Sequence, residues 1–308
     1  MTQEKEWTGH LLALFTVTVW GTTFIATKVL LQSFTPVEIL LIRFALGFLA
    51  LTIVRPHRLK LEHRSHEWYF AGAGLSGCLI YYLMENIALD HSTASNIGVI
   101  VSCAPLFTAL FSAIVFRERL KPSFLLGFCA AIGGIALISF GGGDTVHLNP
   151  IGDVLALIAA AAWGVYSVLC RKLGEYHYPT LEMTRHIFFY GMLFMLPVAW
   201  GMGFAPAVSA LVQPVNFLNL AFLSFGASAL CFVTWNTAVK RLGAVRACVY
   251  IYLSPVVTVI CAALVLSEQM SPRALFGAAL VILGLVLSEG RLPHWKGLNR
   301  WSKLSEKN

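Results

Sequence analysis

Charge is what this sequence has least of. Asp, Glu, Lys and Arg together make up 12% of its 308 residues, about half the ~25% that soluble domains carry. One or two soluble domains would fit the length, but so few charges cannot cover their surface. Catalytic signatures are lacking too. There is no HExxH, no GxSxG and no pair of aspartates within an apolar run; Asp90, Asp144 and Asp153 fall at the ends of such runs. The seven cysteines (78, 103, 129, 170, 231, 248 and 261) show no CxxC or metal-ligand spacing. All lie in apolar runs and read as small packing residues rather than a disulfide framework. The Gly141–Gly143 triplet has neither a preceding strand nor a following Lys-Ser/Thr, so it reads as a linker and not as a phosphate loop. No cleavable signal peptide is expected, because the first apolar run, His10 to Leu31, is too long and no small-residue cleavage site follows it. These absences argue against an enzyme and leave no cofactor or metal to expect.

What the sequence does have is apolar length. Hydrophobic residues make up 57% of the chain and the mean hydropathy is +0.74. Breaking the apolar runs at their polar, Pro and Gly punctuation predicts ten spans: 10–31, 36–54, 68–89, 94–116, 123–140, 151–170, 180–200, 216–239, 244–266 and 272–289. Runs of about 20 residues cross a ~30 Å hydrocarbon core. The net charge of +7 invites a nucleic-acid partner, but its distribution excludes one. With the N-terminus inside, 18 of the 22 Lys and Arg fall in cytoplasmic segments and only Arg273 falls outside, while Lys28, Arg43 and Arg185 lie within spans. That asymmetry is a topology signal. It places both termini in the cytoplasm; the expected location is the inner (plasma) membrane of a bacterium.

The chain also repeats. An offset of 150 aligns Asn86 with Asn236, Ala94 with Ala244, Pro105 with Pro255, Glu118 with Glu268, Pro122 with Pro272, Gly127 with Gly277 and Gly134 with Gly284. Earlier in each half an offset of 143 aligns Trp20-Gly21 with Trp163-Gly164, Lys28 with Arg171, Pro36 with Pro179 and Arg43 with His186. Each half holds five spans. Five is odd, so the second half enters the membrane from the opposite side. Inverted repeats are the mark of secondary transporters, which hold solute near the midplane where the halves meet. The expected fold is an all-α membrane protein of ten transmembrane helices, arranged as two inverted five-helix repeats. Residues 10–140 form the first repeat, 151–289 the second, and 290–308 a basic cytoplasmic tail.

Several stretches carry a family resemblance across roughly residues 10–290: "VWGTTFIATK", "AWGVYSVLCRK", "LIRF", "STASNIGVIVSCAPLFTALFSAIVFRERL" and "LGAVRACVYIYLSPVVTVICAALVLSEQM". They resemble EamA-type members of the drug/metabolite transporter superfamily. The resemblance implies ten helices in two inverted halves, a central cavity and no use of ATP. It also implies export of amino acids or other metabolites, with some members importing and some handling organic cations. The second half departs from the pattern where Thr93–Ser95 becomes Gly243-Ala244-Val245, so polar contacts there need not be symmetric.

Helical spacing puts Cys78, Tyr81, Tyr82, Glu85, Asn86 and Leu89 on one face of the third span. A charge facing lipid costs at least ~2.5 kcal/mol, which leaves three readings of Glu85. It is a structural acid, protonated or paired; it is a site for a substrate amine or coupling proton; or it snorkels to the outer interface. Trp20 and Trp163 sit near mid-span although membrane tryptophans favour interfaces. They suit either a cavity wall for an apolar or cationic solute or bulky packing beside Gly21 and Gly164. Thr23 shares the stripe of Trp20, and Tyr166 lies one turn from Trp163. Trp235 and Asn236 repeat the third-span face with Trp235 in the place of Glu85. Tyr250 precedes Pro255 as Asn96 precedes Pro105, and each proline frees a backbone carbonyl one turn back, for a hinge or a packing kink. Arg43 is read as structural, gating or carboxylate-binding, and His186 as a titrating group or a satisfied hydrogen-bonding residue. Glu118 and Glu268 read as end-of-helix architecture. The spans carrying Gly127/Ala131 and Gly277/Val281 read as packing or dimer helices, leaving monomer and homodimer both open.

The expected function is secondary export of small metabolites such as amino acids by alternating access, with proton-coupled efflux or uptake of organic cations as the alternative. The expected partners are a small-molecule solute and the lipid bilayer.

Overall fold

A computed structural model describes residues 3–92, 94–140, 149–257, 260 and 272–289. Cys261, Glu268, the Gly141–Gly143 linker and the basic tail lie outside the described residues. Among those described, all regular structure is helical. Helix α1 is Gln3–Leu30 and α2 is Pro36–Val54. A continuous helical stretch, 67–91, follows, made of α3 (Glu67–Ala73), a π segment (Gly74–Ile80) and α4 (Tyr81–His91). Next come α5 (Ala94–Val101), α6 (Ala104–Phe116), α7 (Pro122–Phe140), α8 (Pro150–Glu175) and α9 (Thr180–Gly201). A short α10 (Val208–Leu211) precedes a second π-containing stretch: α11 (Pro214–Ala221), π (Phe222–Leu230) and α12 (Cys231–Leu242). The last elements are α13 (Ala244–Cys248), a 3-10 turn (Val249–Tyr252) and α14 (Pro272–Glu289).

Local chemistry explains several boundaries. Thr35 and Glu38 close a capping box at α2, with Pro36 in its first turn. Asn149 caps α8 by accepting from the amides of Ile151 and Gly152, and Pro150 again follows the cap. Pro105 opens α6 after a break at Ser102-Cys103. In the second half Pro255 follows the 3-10 turn. Both prolines thus sit just past an irregular step.

Among the described residues, four helices are long and apolar enough to cross a bilayer: 6–30, 36–54, 150–175 and 214–242. Apolar helices at 104–116, 122–137, 244–257 and 275–288 are shorter. The stretch 67–91 and α9 carry buried polar groups along their length, Glu85 and Asn86 in one, Glu182 and Arg185 in the other.

Packing pairs helices from the two ends of the chain. Helix α1 lies against α12, α8 against α4, α2 against α9, and α7 against α14. Missing side chains make these contacts close. A methyl added to Gly127 would fall 2.5 Å from the Gly284 carbonyl, and one added to Gly134 2.5 Å from that of Gly277. The small-residue faces of α7 and α14 are therefore used on each other within one chain. The described cysteines are free thiols.

Candidate functional site

The centre of the molecule is an aromatic cluster fed by α1, α2, α4, α8, α9 and α12. Trp20, Trp163 and Trp235 form a triangle of indoles with centroid separations of 5.1, 5.1 and 5.7 Å. Tyr81 packs on Trp163 at 4.8 Å and on Tyr82 at 4.7 Å. Phe232 touches Trp20, Trp163, Tyr82 and Tyr166, and Phe44 meets Phe188 at 4.9 Å. Local sequence permits this crowding. A methyl on Gly77 would lie 2.2 Å from the Tyr166 ring, and one on Gly164 would lie 2.9 Å from Phe107 Cβ.

The two π segments border the cluster. A π turn loosens the helical ladder and offers backbone groups to other partners. Here the Ala227 carbonyl, inside the segment Phe222–Leu230, accepts the indole N–H of Trp20 at 2.9 Å. One residue on, the Ser228 hydroxyl accepts from Arg43 Nε. Gly74, in the other π segment, meets the backbone of Gly191, where an added methyl would sit 2.6 Å from an amide nitrogen.

Two charged groups reach the cluster, both from the first half. Arg43 on α2 is 3% exposed; its guanidinium lies 4.3 Å from the Tyr82 ring centroid, and Nη2 donates to the Tyr82 hydroxyl at 3.3 Å. Glu85 on α4 is 7% exposed, and its Oε1 accepts from the Tyr81 hydroxyl at 2.8 Å. Arg43 and Glu85 sense each other electrostatically, but no ion pair joins them among the described residues. Of the five N–H groups of Arg43, those on Ser228 and Tyr82 are used among the described residues. Trp235 is fully buried with no acceptor for its N–H among the described residues, while the Trp163 N–H is directed at the Cys248 thiol. The site therefore holds surplus buried donors.

Other residues singled out in the sequence lie nearby or apart. Tyr166 donates to Asn236 Oδ1 at 2.8 Å, and Asn236 Nδ2 donates to Thr184 at 3.0 Å, a fully buried chain linking α8, α12 and α9. Asn86 makes a long bond, 3.4 Å, to the Pro36 carbonyl. Thr23 bonds back to the Trp20 carbonyl and is half-buried. Tyr250 is away from the indoles, with its hydroxyl 2.7 Å from His10 Nδ1. His186 is also apart: its Nε2 lies 2.9 Å from Glu67, which also accepts from Tyr190 at 2.6 Å. Burial pushes the Glu67 carboxyl up, but the hydrogen bonds from Tyr190 and His186 and the His186 charge outweigh it and hold it below its ordinary value.

The structure corrects one pairing. The repeat offset matched Arg43 with His186. The glycines set the register one residue further on: Gly47 abuts Ser224 and Ser228 as Gly191 abuts Gly74 and Cys78. By that contact register Arg43 would align with Ile187 rather than His186. Sequence reasoning did not single out Ser228, Thr184, Phe44 or Phe188. The "FGASAL" and "GAGLSG" clusters of small residues were the available signal, since such runs inside an apolar helix mark close approach.

Residues 7–140 and 150–289 each match the model of the EamA-like transporter family. The chain belongs to that family. Curated relatives match along nearly the whole length of this EamA-like transporter. A protein of Streptantibioticus cattleyicolor named "probable terminal-alkyne amino-acid exporter" is 30% identical, covering 90% of this chain and 92% of that one. An uncharacterised transporter of Archaeoglobus fulgidus is 29% identical, covering 92% and 97%. An Escherichia coli protein named "probable amino-acid metabolite efflux pump" is 25% identical, covering 90% and 93%. A solved crystal structure, 21% identical, superposes with a TM-score of 0.72 over 91% of this chain and 96% of that one, a likeness of fold.

Proposed function

We propose that this EamA-like transporter is a secondary exporter of small metabolites, amino acids first among them, working by alternating access in a bacterial inner membrane. The observation that carries the reading is the buried pair Arg43 and Glu85: opposite charges on neighbouring helices, not joined to each other, beside an aromatic cluster built from both ends of the chain. A solute with both a carboxylate and an amine complements that arrangement. The exporter and efflux-pump names of two relatives agree with it.

In this reading the chain crosses the bilayer ten times, with 10–140 and 151–289 as inverted halves and 290–308 as a cytoplasmic tail. Exchanged contacts support the two-fold relation. Gly21 packs on Val257 as Gly164 packs on Phe107, and Gly127 meets Gly284 as Gly134 meets Gly277. The π segments also fall at matching offsets. Trp7, Trp68 and Trp200, near the ends of their helices, are highly exposed, as interfacial anchors are.

The test is counterflow in proteoliposomes against amino acids, polyamines and quaternary cations, comparing wild type with Glu85→Gln. The expected result is exchange of a zwitterion that falls at least about tenfold in the variant, the equivalent of ~1.4 kcal/mol. Exchange of quaternary cations alone would establish the organic-cation reading, which the indole faces favour.

A further inference from the structure

We propose that Arg43 and Glu85 impose a charge-balance rule on the solute: a zwitterionic amino acid binds with Glu85 ionised, whereas a carboxylic acid lacking the amine binds only together with a proton on Glu85. The proposal rests on the amino-acid reading above and specifies how the same site chooses among charge types.

Arg43 stays a cation because its guanidinium does not deprotonate in proteins. It is buried, its unused N–H groups require an acceptor, and among the described residues no carboxylate is bonded to it. The neighbouring indole N–H of Trp235 is likewise without an acceptor among the described residues. Four helices thus present donors and a single acid. Besides Arg43 on α2, the ionisable groups acting on Glu85 are Tyr81 and Tyr82 of its own helix. Helix α8, packed on α4, adds Tyr166 and Cys170, and α5 carries no ionisable residue. Tyrosine and cysteine side chains are neutral near pH 7, so the local charge is that of Arg43 and Glu85 alone.

With Glu85 ionised the pair sums to zero. A zwitterion keeps that sum, its carboxylate on Arg43 and its ammonium on the Glu85 oxygen that Tyr81 leaves free. A monocarboxylate would add one negative charge at low dielectric, so Glu85 takes up a proton from water as the acid binds, and the sum returns to zero. A monovalent amine leaves Arg43 uncompensated whatever Glu85 does. Amines are therefore the poorest ligands of the three.

The experiment uses purified full-length protein in detergent. The proteinogenic amino acids are screened by thermal shift, and the strongest stabiliser is compared with its deaminated acid and its decarboxylated amine. Titration calorimetry in buffers of different ionisation enthalpy counts the protons taken up. The zwitterion is expected to bind with no net uptake. The deaminated acid should bind with uptake of one proton, its affinity rising about tenfold per unit fall in pH where Glu85 is ionised. The amine should bind at least about tenfold more weakly than the zwitterion, a difference of ~1.4 kcal/mol. In Glu85→Gln, which mimics the protonated acid, the deaminated acid should bind at neutral pH without uptake while the zwitterion is lost. The wild-type proton count stands even if that variant fails to fold. If no amino acid stabilises the protein, the amino-acid reading fails. If one does but the deaminated acid binds without a proton, or the amine binds as tightly as the zwitterion, the charge-balance rule alone is overturned.

Discussion

At the scale of single residues, the indoles separate stability from binding. Trp20 gives its N–H to the Ala227 carbonyl, whereas the Trp235 N–H has no acceptor among the described residues. An unsatisfied buried donor costs about 1–3 kcal/mol, and a satisfied one contributes about 1 kcal/mol. Trp20→Phe should therefore lower the melting temperature by a few degrees, since it also strands a carbonyl of the π segment. Trp235→Phe should leave it unchanged or slightly higher, because the lost ring volume is offset by removal of the orphan donor, while weakening solute binding. Paired thermal melts with and without solute check both. A large destabilisation by Trp235→Phe would mean that its N–H is satisfied after all. Much of this site was legible residue by residue. Glu85 announced itself as an acid in an apolar run, and the Trp20/Trp163 pair by its mid-span position. Ser228 and Thr184 were not legible, because a small hydroxyl in an apolar helix usually bonds back to its own backbone, and nothing local says which one will turn to a neighbour.

At the scale of elements, hydropathy foretold helices but not their interruptions. The π segments Gly74–Ile80 and Phe222–Leu230 have no signature distinct from small residues in an apolar run. Their cause is tertiary: another backbone or a bulky ring comes too close for a regular ladder with side chains. Caps were easier, since Thr35-Pro36 and Asn149-Pro150 carry their chemistry in the sequence. The close approach is itself testable. Gly77→Ala places a methyl 2.2 Å from the Tyr166 ring, whereas Gly133→Ala finds its nearest atom at 3.8 Å. Overpacking costs about 1–3 kcal/mol, and Tyr166 cannot retreat without breaking its bond to Asn236. Gly77→Ala should lower the melting temperature and Gly133→Ala should not, as thermal unfolding in detergent would measure. Equal effects would mean that helix propensity, not packing, governs both positions.

At the scale of the whole molecule, the charge distribution predicts a sidedness but does not account for what joins the halves on the predicted cytoplasmic side. The structure supplies one. Arg171 clasps Glu118 with two bonds of 2.7 and 2.9 Å while its guanidinium lies 3.9 Å from the Phe116 ring centroid. Arg55 pairs with Glu182 at 2.8 Å, Arg185 donates to the carbonyls of Arg55 and His57, and Arg246 reaches Glu6. Each tie joins a residue of the first half to one of the second, so periodicity within either half could not reveal it. Exposed ion pairs are worth about 0.2–1 kcal/mol, too little to hold the fold but enough to bias two conformations of similar energy several-fold. By the repeat offsets, the sequence counterparts of Arg171 and Glu118 are Lys28 and Glu268. The alternating access proposed above requires that such ties part on one side as the other side closes. Cysteines at positions 118 and 171, in a background without the native cysteines, provide the check. Bridging them with a reducible bifunctional thiol reagent should stop counterflow, and reduction should restore it. Transport that continues with the bridge in place would mean that α6 and α8 move as one body, and the parting surface would then lie between α2 and α9.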